Sequence, residues 1–192
     1  MQSNIERNDY MPDFRRLEKH ILDNILEAQV KLGYEGRSMS LNYTETSLKH
    51  LIGVNSSGKD LKQILSDFAD YTAPRFGKLT ITDIKNGFCI TVPPEGTAYV
   101  NTLNDGSGFI SALVEAVRQH RSLDEILAVF RRFSDSVSVT ETDNDEFQYL
   151  VYFTDGIPDD YLYCLTVDEE IDGSIHVTYH RFIKEDYEDF NF

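Results

Sequence analysis

Basic residues are scarce in this chain. Its 192 residues carry 18 Lys and Arg against 33 Asp and Glu, a formal charge of −15 at pH 7. Such a surface repels phosphate backbones and anionic membranes at physiological salt. Cysteine is also rare: Cys89 and Cys164 each sit within an apolar, strand-like run. They read as small sheet residues in a reducing compartment, and nothing in the sequence supports a disulfide between them. No apolar run approaches the ~20 residues that cross a bilayer, and the polar start Met1 to Asp9 does not fit a secretory signal. A cytoplasmic protein is therefore expected, with no membrane partner. Internal repeats and low-complexity tracts are lacking too. Apolar residues are not: hydrophobic content is 41% and aromatic content 12%, so the chain folds as a globular protein rather than staying disordered.

The charge is unevenly spread. Residues 1–100 hold 12 Lys and Arg against 13 Asp and Glu, whereas residues 101–192 hold 6 against 20. That asymmetry divides the chain into parts with different surfaces. Pro93-Pro94-Glu95-Gly96 marks the boundary by its turn composition, giving expected units of residues 1–95 and 96–192.

The first unit is organised around Lys59 to Val92. Leu61, Ile64, Leu65 and Phe68 recur at helical spacing; Leu79, Ile81 and Ile84, then Phe88, Ile90 and Val92, follow the shorter period of half-buried strands. Asn86-Gly87 between them supplies the left-handed conformations of a tight hairpin. Ala73-Pro74 closes the helix, because proline disfavours helix at the residue before it. Upstream, Leu17, Ile21, Ile25 and Ala28 stripe a first helix that stops at Gly33. Met39, Leu41 and Tyr43 alternate as a short strand, and Thr44 or Thr46 caps a short helix through Ile52. Helix, strand, helix, helix, strand, turn, strand is the order of a winged-helix unit.

In the second unit, Phe109, Leu113, Ala116 and Val117 line one helix. Ser122 with Glu125 forms a capping box for another, which buries Leu123, Ile126, Leu127 and Phe130. Four alternating segments follow, separated by Asp143-Asn144-Asp145, Gly156 to Asp160, and Asp172-Gly173. The pattern predicts an α+β protein: a winged-helix-like unit, then two helices packed on a four-stranded antiparallel meander.

Chemistry is less legible. Gly53 to Asp60 matches most of a phosphate-binding loop, but that motif needs a strand before it and a hydroxyl after Lys59, where Asp60 stands. A turn between two helices is the better reading. Asp105-Gly106-Ser107-Gly108 opens a helix with no cation beside it and reads as an ordinary cap. His176, Thr178 and His180 share one face of a strand, yet the two rings stand about 13 Å apart along it and cannot hold one metal. No cysteine or serine sits in a nucleophile motif. No catalytic residue, metal ligand or cofactor site is assigned.

Two strings, Lys31-Leu32-Gly33-Tyr34 and Tyr179-His180-Arg181-Phe182 running to Asp189-Phe190, resemble an uncharacterised family of gut Firmicutes whose function is unknown. The resemblance covers most of the chain and implies a cytoplasmic bacterial protein. It carries over no functional residue.

The function expected is a non-enzymatic interaction or regulatory protein that meets a basic protein partner. His176, Thr178 and His180 on the sheet, and Phe190 and Phe192 in the tail, are the candidate contacts. The tail's aromatics either dock into a partner or pack back on their own unit, and packing back is favoured. The rival reading is a DNA-binding regulator using Lys59, Lys62, Lys78 and Lys85. Asp60, Asp67 and Asp70 on the same helix count against it, because specific binding uses about six to ten phosphate contacts. A third is an enzyme whose site is assembled only in the fold.

Overall fold

A computed structural model describes residues 12–34, 36–55, 58–143, 145–169 and 175–189. It shows a mixed α+β protein with two separate antiparallel sheets, one of three strands and one of four. The chain divides into two compact units, Met1–Ile25 with Gly36–Val100, and Leu26–Glu35 with Asn101–Phe192.

In the first unit, helix α1 (Phe14–Leu32) supplies Leu17, Ile21 and Ile25 to the core. Strand β1 (Met39–Thr44) leads into α2 (Glu45–Ile52), whose first turn is capped by the Thr44 hydroxyl accepting from the Ser47 amide at 3.0 Å. Helix α3 (Gly58–Phe76) and strands β2 (Thr80–Ile84) and β3 (Gly87–Val92) follow, with β3 central in the order β1-β3-β2. Leu61, Leu65, Phe68, Phe88, Ile90 and Val92 are buried together with the apolar face of α2.

Local chemistry departs from the sequence reading at three points. Helix α3 runs through Pro74 to Phe76 instead of stopping before it. Phe76 is fully buried, while Asp70, whose carbonyl loses its partner to the proline, is exposed to water. The hairpin loop is Lys85-Asn86, one residue earlier than expected: Ile84 pairs with Gly87, and Asn86 alone takes a positive φ of 66°. Pro94 begins a helix, α4 (Pro94–Leu103), because proline suits a first helical position whose N–H is unused. Gly96 is required there, since a Cβ would overlap the Phe76 carbonyl.

In the second unit, helices α5 (Phe109–Arg118) and α6 (Leu123–Phe133) are followed by β4 (Val137–Glu141), β5 (Tyr149–Phe153), β6 (Tyr161–Glu169) and β7 (Ile175–Ile183) in a simple meander. The capping box at Ser122 and Glu125 is present. Phe109 and Phe130 from the helices meet Phe153 and Tyr163 from the sheet in edge-to-face and tilted contacts, with centroids 5.0–5.6 Å apart. A short helix, α7 (Lys184–Asp189), closes the described chain, and Tyr187 on it lies 6.3 Å from the Phe147 ring. Both cysteines are free.

Candidate functional site: a groove on the sheet and the polar cluster behind it

Alternation along the meander sorts its side chains into two layers. Val151, Phe153, Tyr161, Tyr163, Leu165, Val177 and Tyr179 share the helix-covered layer, as their cross-strand pairing requires. Leu150 pairs with Cys164 and Tyr152 with Leu162 on the opposite layer. That layer would meet solvent in a two-layer protein, yet Leu162 and Cys164 are 8% and 1% exposed. Burial pushes the Cys164 thiol up to about 12, so it is an apolar filler and not a nucleophile.

Beside α7, Leu150, Tyr152, Leu162, Asp160, Tyr187 and Glu188 line a groove of ≈ 680 Å³. That volume lies within the range of small-ligand and side-chain pockets. Leu150, Tyr152, Phe153, Leu162 and Tyr187 make its lining largely apolar and aromatic. Its rim carries Asp155, Asp160 and Glu188, with Lys184 3.9 Å from Glu188. Thr154, Asp155, Gly156 and Asp160 of the loop between β5 and β6 also line it, and Asp155 and Asp159 hold that loop near its two ends. Asp155 accepts from the Ser134 hydroxyl at 3.0 Å, and the Ile157 and Ser134 bonds keep its carboxyl below the usual aspartate range. Asp159, buried, accepts from the Tyr163 hydroxyl at 2.7 Å.

The Tyr163 bond leads into a buried polar cluster. Arg181, the cross-strand partner of Tyr163, reaches the Glu27 carboxylate at 2.7 Å and stacks over Tyr161 at 4.3 Å. Glu27 accepts from the Tyr179 hydroxyl at 2.6 Å and from Lys31 at 2.8 Å. Burial by itself would raise the Glu27 pKa, but Arg181, then Lys31 and Tyr179, outweigh it and hold the carboxyl below the usual glutamate range. Burial, and then Glu27, pushes Tyr179 well up, so its hydroxyl stays protonated and donating. Glu27, Arg181, Tyr163 and Asp159 thus follow one another on the helix-covered layer, and Asp159 sits in the chain beside Asp160 of the groove.

The residues singled out in the sequence are dispersed. Lys62 is held by Asp83 of β2, and Lys78 and Lys85 are exposed near and in the hairpin. Lys59 lies in the first turn of α3, and its side chain is outside the described residues. Thr178 and His180 pair with Thr166 and Cys164 across the ladder, on the same layer as Leu150 and Leu162, but neither lines the groove. Phe190 and Phe192 lie outside the described residues. His176 meets a residue not paired with it in the sequence reading: its Nδ1 is 2.9 Å from Nδ1 of His120. His120 has a φ of 52° and follows α5 as the left-handed residue of a helix-ending motif, with Arg121 N–H bonded to Ala116 O at 3.1 Å and its own N–H to Val117 O at 3.0 Å. Glycine is usual there, so His120→Gly is expected to raise stability by about 1 kcal/mol, read by urea denaturation. An unchanged or lower midpoint would mean that the histidine contact outweighs the backbone strain.

Sequence reasoning missed Glu27, Asp159, Tyr163 and Arg181. One signal was available: Arg181 falls in the same alternation as Val177 and Tyr179, a charge at a core position of β7.

The fold defines a mixed α+β protein carrying a four-stranded meander backed by two helices. Residues 14–191 match the family model described as "Domain of unknown function, E. rectale Gene description (DUF3877)", and the chain belongs to that family. This agrees with the resemblance to gut Firmicutes. No curated protein and no solved structure matches the chain. Among the described residues, no helix is long and apolar enough to cross a membrane.

Proposed function

We propose that this is a non-enzymatic interaction protein whose second unit takes a basic segment of a protein partner into the groove beside α7. The observation that carries the reading is the pairing of an aromatic lining, Tyr152 and Tyr187, with a carboxylate rim in a half of the chain holding 20 acids against 6 bases. An arginine or lysine side chain fits that chemistry: its stem covers the tyrosine faces and its cation meets Asp155, Asp160 and Glu188. Association should be steered by the acidic field and slow as salt rises.

The first unit, in this reading, is a scaffold of winged-helix type. Its element order and the β1-β3-β2 arrangement support that. The engagement of Lys62 by Asp83 weighs against its use on nucleic acid, because a phosphate would have to displace the carboxylate. A cytoplasmic setting suits two free thiols.

The test is fluorescence anisotropy with short peptides ranging from net acidic to net basic, with and without an aromatic residue. Basic peptides should bind, and Tyr152→Ala or Asp160→Asn should weaken them by about tenfold or more. Equal binding of acidic peptides, or affinity unchanged in both variants, would overturn the proposal.

A further inference from the structure

We propose that His120 and His176 form a binding site for a divalent first-row transition-metal ion, held by the two imidazole Nδ1 atoms and completed by water. The histidines come from different elements, the end of α5 and the start of β7, and their Nδ1 atoms lie 2.9 Å apart. Metal–nitrogen bonds of about 2.0 Å leave adjacent ligand nitrogens about 2.8–3.3 Å apart in square-planar or tetrahedral geometry. The ring centroids are 4.8 Å apart with planes at 43°. A linear hydrogen bond between the rings would put the centroids about 5.2 Å apart. The shorter observed distance shows that the two ring axes are not collinear with the Nδ1–Nδ1 line, as ligation of one ion by both rings requires.

The backbone supplies a second, independent observation. His120 occupies a left-handed position that an L residue other than glycine adopts at a cost, and its neighbours' hydrogen bonds complete the turn regardless of its side chain. Strain of this kind clusters at sites where a side chain is needed. Arg121, the nearest cation in sequence, is turned to Glu125 at 3.0 Å and to Gln119. Asp168, the cross-strand partner of His176, is exposed and adds negative charge on the adjoining strand. Among the described residues no third His, Cys, Asp or Glu joins the pair. Two imidazoles and solvent favour Cu²⁺ and Ni²⁺ ahead of Zn²⁺, and exclude selective binding of Mg²⁺, which demands oxygen ligands.

The full chain should be titrated with Cu²⁺, Ni²⁺, Zn²⁺ and Mg²⁺ by calorimetry, with the Cu²⁺ form followed by electron paramagnetic resonance. One Cu²⁺ per chain with hyperfine coupling to two imidazole nitrogens is expected. His176→Ala and His120→Gly should each weaken binding by about tenfold or more, and acidification should release the ion because the ligating nitrogens must be unprotonated. His120→Gly also relieves the backbone, so loss of the ion in a variant at least as stable as the parent separates ligation from folding. Affinity unchanged in both variants, or no preference for Cu²⁺ over Mg²⁺, would overturn the proposal.

Discussion

Replacing Arg181 with methionine is expected to destabilise the protein by about 3–5 kcal/mol, measured by urea denaturation at neutral pH. The side chain is 6% exposed and its main partner, Glu27, 13%. Removing the guanidinium leaves a carboxylate in a site that solvates it poorly, with Lys31 and the Tyr179 hydroxyl still against it. The double variant Glu27→Leu with Arg181→Met should recover most of the loss, because removing both charges also removes the desolvation cost. Acid gives a second reading of the same pair. The Glu27 pKa is lower folded than unfolded, so its stabilising contribution is present above the ordinary glutamate value and disappears as pH falls through the folded one. The gap between the parent and the double variant should change over that acidic window and stay constant above it. A loss below about 1 kcal/mol for Arg181→Met would show that the pair is solvated, contrary to its burial.

The other large effect is expected at Gly87. A Cβ there would overlap the Tyr43 carbonyl oxygen and crowd the Thr44 backbone, although the φ of Gly87 lies outside the left-handed region. The cause is the close approach of β1, which pairs Thr44 with Gly87 at the point where Thr44 also caps α2. Gly87→Ala should therefore cost about 3 kcal/mol or more by thermal or urea unfolding, since both obstacles are backbone and cannot rotate aside. Gly156→Ala is the contrast. Its φ is 72° but nothing lies within 4 Å of an added Cβ, so the expected cost is about 1 kcal/mol. Equal losses at the two positions would mean that β1 moves away from the hairpin at little cost.

The groove depends on features of different sequence range. Tyr152, Leu150 and Leu162 were readable as members of strands, but the alternation that puts Leu162 and Cys164 on a solvent-side layer gave no hint that this layer is covered. Helix α7 does the covering. Its sequence, Lys184 to Asp189, is mostly charged and lacks an apolar stripe, so helical periodicity could not reveal it. The tail's contact with Phe147 comes from Tyr187; Phe190 and Phe192 lie beyond the described chain. His176 and His180 share a face of one strand, and their spacing already separates the two rings. The nearest partner of His176 is 56 positions away.

By itself the sequence determined the α+β class, the cap at Ser122, the stop at Gly33, the presence of the hairpin and the meander. Each rests on contacts between residues a few positions apart, where spacing, φ preference and a single side-chain hydrogen bond decide the outcome. Tertiary structure alone decided that Arg181 meets Glu27, that His120 meets His176, that α3 continues past Pro74, and that Gly87 lies under a backbone carbonyl. Those outcomes depend on strand register and on which elements are pressed together, and both are set by burying many side chains at once, a sum over distant residues that no local pattern encodes.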